Sequence, residues 1–158
     1  TRGWLLTLLR HFQADAKLGL LGPATNHIGN ESKVPVFYET MEHMPAAARR
    51  YTLPRMGQLY PMKTLAFFCV MMPRAVYEKV GPMDENFGRG FFEDDDYSRR
   101  IEQQGLRLAC ADDVLVHHHL SASFDKVDNG ERQALFERNK AYYESKWGPW
   151  IPHRYRTP

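Results

Sequence analysis

The chain has 158 residues, a formal net charge of +2, and 43% hydrophobic and 25% charged residues, which is ordinary for a soluble globular protein. This length is enough for one buried core, so we expect a single domain over residues 1–158. The basic residues form no stripe interleaved with aromatic residues, so we expect no nucleic-acid partner. The longest apolar run, residues 65–72, is far shorter than the ~20 residues that cross a bilayer, so we expect no membrane span.

The first part of the chain predicts a helix, a strand and a loop. Apolar residues at positions 4, 5, 8, 9 and 12 have helical spacing. Residues 18–21 form a short apolar run that Gly22 and Pro23 end, which is typical of a buried strand. Residues 24–36 are rich in Asn, Gly, Ser and Pro and predict a loop.

The middle of the chain predicts two helices, an insert and a second strand. Residues 38–50 suit a helix interrupted at Pro45, and residues 51–63 suggest an irregular insert. Residues 65–72 are continuously apolar, which predicts a buried strand. Residues 74–80 then predict a short helix that ends at Gly81.

The last part of the chain predicts two helices and two strands. The first helix covers residues 93–104, with Gly105 as its stop, and the strands cover residues 106–110 and 114–118. The last helix covers residues 131–146 and stops at Gly148. This order of elements indicates an α/β fold with a mixed sheet flanked by helices.

Both cysteines lie in apolar runs, Cys69 within residues 65–72 and Cys110 at the end of residues 106–110. Free cysteines in such runs behave as small buried hydrophobic residues. We therefore expect reduced thiols and a cytoplasmic location rather than a disulfide.

Four adjacent carboxylates, Glu93 to Asp96, stand where a glycine-containing loop enters a helix. Like charges this close raise one another's pKa unless a cation lies nearby, and Arg99 and Arg100 are candidate cations. A helix N-terminus favours acidic residues, but one or two suffice as a cap. The cluster indicates a general base, or a metal or phosphate site. The alternative is an acidic first turn on a solvated helix.

Three adjacent histidines, His117 to His119, follow the last predicted strand. Side chains on a strand alternate between faces, so at most two of these imidazoles point the same way. Two imidazoles on one face are able to bind a divalent ion. The alternative is one buried, hydrogen-bonded histidine and two exposed ones.

Trp147 and Trp150 are candidates for a surface on which a sugar ring stacks. They stand at helical spacing beside Tyr142 and Tyr143. This spacing favours packing in the core over sugar binding.

Several short motifs over residues 3–150 occur in an order that resembles family-2 glycosyltransferases with the GT-A fold. Residues 81–87 resemble the family's G-x-hydrophobic-D-E-x-F turn, and residues 88–90 its flexible acceptor-side loop. Residues 93–100 resemble its acidic motif, E-D-x-D-x-x-x-R. Residues 19–26 resemble a strand and loop of the family, and residues 117–119 follow the last core strand as the family's histidine does.

The resemblance implies a partial GT-A domain, which is a Rossmann-like nucleotide-diphospho-sugar transferase fold. It implies inverting transfer of a sugar from a nucleotide-sugar donor to an acceptor hydroxyl, in polysaccharide or glycoconjugate synthesis. Asp94 takes the position of the catalytic base in this motif. Glu93, Asp96, Gly90 and Arg100 are then expected to bind the acceptor, and a structural pairing of Arg100 with the carboxylates is equally expected.

The resemblance also implies a divalent metal, Mg or Mn, held by an Asp-x-Asp motif with the help of one histidine. The candidates for that histidine are His117 and His118. Counting back from Ser121 and from Ser123 gives different positions, so both candidates stay open.

In this family a nucleotide-binding half that ends in Asp-x-Asp precedes a segment like residues 3–6, and no Asp-x-Asp occurs before residue 84 here. We therefore expect the chain to be the acceptor-side half, inactive alone. Its expected partners are the missing N-terminal half, a nucleotide-sugar donor and a carbohydrate or glycoconjugate acceptor. An uncovered strand edge and apolar face predict self-association. The expected location is the cytoplasm, either free or at the membrane surface. The alternatives are a non-catalytic binding or assembly module and a metal-dependent hydrolase.

Overall fold

A computed structural model describes residues 3–119 and 128–156 of the chain. These residues form an α/β fold, as predicted. Two single-turn 3-10 helices, Leu53–Arg55 and Glu85–Phe87, accompany the main elements. The main elements are α1 (Trp4–Ala14), β1 (Leu18–Ala24), α2 (Met44–Thr52), β2 (Leu59–Met62), α3 (Arg74–Val80), α4 (Glu93–Glu102), β3 (Arg107–Leu115) and α5 (Asn129–Trp147).

The described sheet has three strands in the order β1-β3-β2, with β3 in the centre. Strand β1 runs parallel to β3, with Leu21 opposite Ala109, and β2 runs antiparallel to it, with Tyr60 opposite Cys110. The predicted mixed sheet is therefore confirmed. The finer assignment to a partial GT-A domain stays a prediction.

The two faces of the sheet carry separate hydrophobic clusters, because successive side chains of a strand point to opposite faces. Leu20 and Leu108 join one cluster, together with Tyr97 and Ile101 of α4. The neighbouring strand residues Leu21 and Ala109 join the other cluster, together with Leu8 of α1. Helices α4 and α1 therefore pack on opposite faces of the sheet, and strand β1 is buried along its whole length.

The prediction of a strand over residues 65–72 is wrong. Leu65 is buried, but residues 66–70 are only partly buried and include a turn. Only Met71 pairs with the sheet, through a bridge to Leu21 with N–O distances of 3.0 and 2.8 Å. A continuous apolar run does not by itself identify a strand, and in this run only Leu65 is buried.

The structure places a strand in the predicted insert instead. Residues 59–62 form β2, although Pro61 lacks the N–H that a strand normally donates. This is tolerated because β2 is a terminal strand of the described sheet and pairs only with β3. The predicted helix over residues 38–50 begins only at Met44, and Pro45 lies in its first turn rather than interrupting it.

The two strands predicted over residues 106–110 and 114–118 are one strand, β3. The polar pair between them, Asp112 and Asp113, is buried, and both side chains have close partners. Asp113 Oδ1 lies 2.9 Å from His11 Nε2, and Asp112 Oδ1 accepts from Arg156 at 2.7 Å. These distant partners allow two acidic residues to continue a buried strand.

The other helix predictions are confirmed by α1, α3, α4 and α5. Cys69 and Cys110 are free thiols, and Cys110 is buried while Cys69 is partly buried. None of the helices in residues 3–119 and 128–156 is both long enough and apolar enough to cross a membrane.

Candidate functional site

A cavity with a volume of about 740 Å³ lies at the N-terminal end of α4. Among the predicted site residues, Glu93, Asp94 and His118 line it. The walls combine carboxylates, histidines and aromatic rings. The further polar lining residues are Asn30, Thr64, Asp95, His119, Arg132 and His153, and the aromatic ones are Phe67, Phe68, Phe91, Phe92, Phe136 and Trp150.

A strained turn places the acidic residues in the wall of this cavity. Phe91 and Phe92 both have left-handed backbone angles, with φ of 67° and 71°. Each such residue costs on the order of 1–3 kcal/mol, so the surrounding packing must hold it in place. The ring of Phe92 packs against Phe136 and Trp150, with both pairs of ring centroids 5.2 Å apart. The carboxyl-terminal part of the chain therefore fixes the entry into α4.

Asn139 on α5 holds the same turn through its backbone. Its fully buried side-chain Nδ2 donates to the carbonyl oxygens of Phe87 and Gly90 at 2.6 Å each, and of Phe91 at 3.1 Å. Gly90, which was predicted to bind the acceptor, is buried and does not line the cavity. Its φ of 141° lies where a side chain is strained, so glycine there serves the shape of the turn.

Asp94, the predicted base, lies in the cavity wall and is partly buried. Burial, followed by the charges of Asp95 and Glu93, raises its pKa to about 8. One of its oxygens accepts a hydrogen bond from the Asp95 backbone N–H at 2.9 Å. A carboxyl group with this pKa is able to exchange a proton near neutral pH.

Glu93 lies beside Asp94 in the same wall. Burial is the largest cause of its raised pKa, and the charge of Asp95 adds to it. Its Oε2 is buried and has no hydrogen-bond partner within the described residues. An unpaired buried carboxylate oxygen is costly, which agrees with a raised pKa of this side chain.

Asp95, which the acidic motif leaves unassigned, is buried at the edge of the same cavity. Its Oδ1 accepts from Thr64 Oγ1 at 3.1 Å and lies 3.2 Å from His153 Nε2. The hydrogen bond to Asp95 is the main reason for a raised pKa of His153. His153 follows Pro152 outside any periodic element, so the sequence offered no sign of this pair.

Asp96 and Arg100, two predicted acceptor contacts, lie away from the cavity lining. Asp96 is fully buried and its Oδ1 lies 2.6 Å from Lys146 Nζ and 2.9 Å from Trp147 Nε1. Arg100 lies 3.7 Å from Asp96 and donates to the carbonyl oxygens of Pro82, at 2.8 Å, and Val80. Both residues therefore brace α4 against α5 and the end of α3, which is the structural pairing expected for Arg100.

The two predicted metal-binding histidines point to different places, as the alternation along an extended segment predicts. His117 Nδ1 pairs with the Tyr38 hydroxyl and lines a second, separate cavity. His118 lines the main cavity, and its ring stacks on Phe68 with centroids 4.7 Å apart. Ser121 and Ser123, from which the histidine was counted, lie outside the described residues.

The tautomer of His118 is compatible with a metal ligand. Its Nδ1 lies 2.8 Å from the carbonyl oxygen of His27, which can only accept, so Nδ1 carries the hydrogen. Nε2 then keeps a lone pair, as in metal sites where the other ring nitrogen donates to a carbonyl. No group of three or more His, Cys, Asp or Glu side chains in the described ranges is arranged to hold a metal ion. His118 therefore offers one ligand.

The two tryptophans have different surroundings. Trp147 donates to Asp96 and belongs to the cluster of Phe87, Phe92 and Tyr143, which agrees with the predicted core packing. Trp150 also packs on that cluster but lines the cavity.

No protein-family profile matches the chain, and no curated protein matches it significantly. The resemblance of the acidic motif and the geometry of the cavity are therefore the grounds for a function.

Proposed function

We propose that this chain is the acceptor-side half of a family-2-like, inverting glycosyltransferase domain in which Asp94 is the general base. The observation that carries the proposal is the position of Asp94. It stands in the first turn of α4, in the wall of an aromatic-lined cavity, with a pKa raised to about 8. A base is most effective when its pKa lies near the working pH.

The proposed step moves one proton and exchanges one bond. Asp94, as the carboxylate, accepts the proton of the acceptor hydroxyl. The acceptor oxygen forms a bond to the anomeric carbon of the donor sugar. The bond from that carbon to the diphosphate oxygen breaks on the opposite face, and the nucleoside diphosphate leaves with the electron pair. The configuration at the anomeric carbon is therefore inverted.

The shape of the cavity supports a carbohydrate acceptor. Trp150, Phe136 and Phe68 present aromatic surface to it, and the less polar face of a sugar ring can pack on such surface. Glu93 adds a second carboxyl group to the cavity wall beside Asp94. Ligand sites commonly combine apolar walls with a few polar groups in this way.

The donor and the metal are expected to be held largely by a nucleotide-binding half. A divalent Mg or Mn ion, when bound, neutralises charge on the departing diphosphate. From this chain His118 would offer its Nε2. The tasks of the described residues are to bind the acceptor and to take its proton.

The test is sugar transfer by the natural protein that contains this chain, with a panel of nucleotide sugars and oligosaccharide acceptors. We expect Asp94→Asn to lower turnover by about 10²–10⁴-fold while donor affinity stays nearly unchanged, because Asn keeps the shape but accepts no proton. Glu78→Gln, which removes an exposed carboxylate on α3, is the matched control. Full activity of Asp94→Asn would refute the base. Carbohydrate binding without any transfer would instead favour the non-catalytic module.

A further inference from the structure

The segment that follows α5 crosses the N-terminal end of α4 and is held at two points. Near its start, the Trp150 backbone N–H donates to Glu144 at 3.0 Å. Near its end, Arg156 donates to both oxygens of Asp112, at 2.7 and 2.8 Å. His153 lies between these points. The segment therefore brings an imidazole to the acidic cluster from a different part of the chain.

His153 is placed to act on Asp95 as a cation. Its Nε2 lies 3.2 Å from Asp95 Oδ1, and the side chains of His153 and Asp95 are only 23% and 9% exposed. Thr64 donates to the same carboxylate oxygen at 3.1 Å. A carboxylate this buried is stable in its charged form when it has a cationic, hydrogen-bonded partner.

The charges around this pair come from several elements. The acids that act on His153 are Asp95 and Asp94 of α4 and Glu31 of the loop after β1. Glu93 also faces the cavity from α4, and the other cationic or titratable side chains in its wall are His118, His119 and Arg132. Asp95 is the acid in hydrogen-bond contact with His153, so its charge is the one that the imidazolium offsets most directly.

We propose that His153 is a positioning residue for the acidic cluster: its side chain pairs with Asp95 as a cation and thereby weakens the repulsion between the carboxylates of Asp95 and Asp94. The effect on catalysis rests on the function proposed above, whereas the coupling among His153, Asp95 and Asp94 does not. Two adjacent carboxylates hold their protons more tightly than one, because each negative charge opposes the other. A cation on Asp95 weakens that opposition, and removal of the cation restores it.

The coupling can be measured on the 158-residue chain without any assay of activity. NMR would follow the histidine ring protons and the carboxyl carbons of the aspartates across pH, with assignments taken from single variants. In the unsubstituted chain we expect His153 to titrate above the ordinary histidine value of about 6.5. Asp95→Asn should bring the His153 midpoint down to that value or below.

Three substitutions separate charge from structure. His153→Gln keeps a hydrogen-bond donor but loses the charge, and we expect the Asp94 midpoint to rise by about 1 pH unit or more. His153→Arg restores a permanent positive charge and should return the midpoint toward its original value. His119→Gln, at another histidine in the cavity wall, should leave the midpoint within about 0.3 units, since within the described residues its ring contacts His117 rather than Asp95.

An Asp94 midpoint that is the same with glutamine, arginine and histidine at position 153 would overturn the proposal. An unchanged His153 midpoint in Asp95→Asn would also overturn it, and this variant tests the pair without substituting the histidine. In the natural protein, the acidic limb of the kcat/KM profile should move to higher pH in His153→Gln. If the titrations couple but no sugar is transferred, the proposed function fails while the role of His153 stands.

Discussion

The side-chain amide of Asn139 donates to the carbonyl oxygen of Gly90 across 2.6 Å, and this contact joins α5 to the turn that precedes the acidic helix. The turn contains two left-handed phenylalanines and would not keep this shape by itself. Helix α5 thus holds the turn in this conformation. The position of Asp94 in the cavity therefore depends on Asn139, which lies far along the sequence in α5.

We therefore expect Asn139→Leu to destabilise the chain by about 2–4 kcal/mol in urea unfolding, because buried carbonyls lose their donor. The substituted side chain has a similar size, so lost hydrogen bonds rather than a cavity should dominate. Gln133→Ala, at an exposed position of the same helix, is the control and should change stability by less than about 0.5 kcal/mol. Equal effects of the two substitutions would show that Asn139 does not hold the turn.

Lys146 links two acidic residues from different motifs. Its Nζ lies 2.8 Å from Asp84 Oδ2 and 2.6 Å from Asp96 Oδ1, and the Asp96 side chain is only 1% exposed. We expect Lys146→Met to cost about 3 kcal/mol in urea unfolding, because it leaves a buried carboxylate without its closest cation. Adding Asp96→Asn should recover part of that loss. A double variant as unstable as the sum of the two single variants would mean that the ion pair is not coupled.

The sequence predicted the helices better than the strands, and the reason is physical. Helices α1, α4 and α5 have apolar spacing or glycine stops, which are local features. Residues 65–72 resemble a buried strand because the sequence pattern of a continuous apolar run does not distinguish a strand from other kinds of segment. The sequence predicts two strands in place of β3 because Asp112 and Asp113 interrupt the apolar pattern, whereas their partners Arg156 and His11 are far away in the chain.

The residues of the candidate site also fall into those that a local pattern predicts and those that it does not. Glu93 and Asp94 could be predicted because they belong to a contiguous acidic motif at the start of a helix. The roles of Asn139, Lys146 and His153 could not, since each depends on a tertiary contact and none belongs to a local pattern. The same limit explains Asp96, whose position in the motif suggested the cavity but whose side chain turns toward α5.

Helix α1 exposes three leucines, Leu5, Leu6 and Leu9, at 52%, 61% and 46%. Clustered apolar side chains on one helix favour association with another surface. We expect the purified chain to show concentration-dependent mass in sedimentation velocity, and Leu6→Lys with Leu9→Lys to return it to a monomer. Leu53→Lys substitutes a leucine that is 56% exposed on another element, and should leave the association unchanged. A chain that is already monomeric at millimolar concentration would contradict the prediction.

Asp94 should make the stability of the chain depend on pH in a direction opposite to that of most acidic residues. Its folded-state pKa, about 8, lies above the ordinary value of about 3.9, so the folded chain holds this proton to higher pH than the unfolded chain does. Between these two values the folded state binds more protons, and stability falls as pH rises. Asn at this position carries no charge at any pH, so the variant does not lose this stability as pH rises.

We expect the melting temperature of Asp94→Asn to match that of the unsubstituted chain at about pH 4 and to exceed it increasingly toward about pH 9. The exposed control Glu78→Gln should run parallel to the unsubstituted chain throughout. Two parallel curves for Asp94→Asn as well would mean that the folded chain does not retain this proton. A variant that is more stable at high pH yet loses sugar transfer cannot owe its inactivity to unfolding, so the same substitution separates a role in stability from a role as the base.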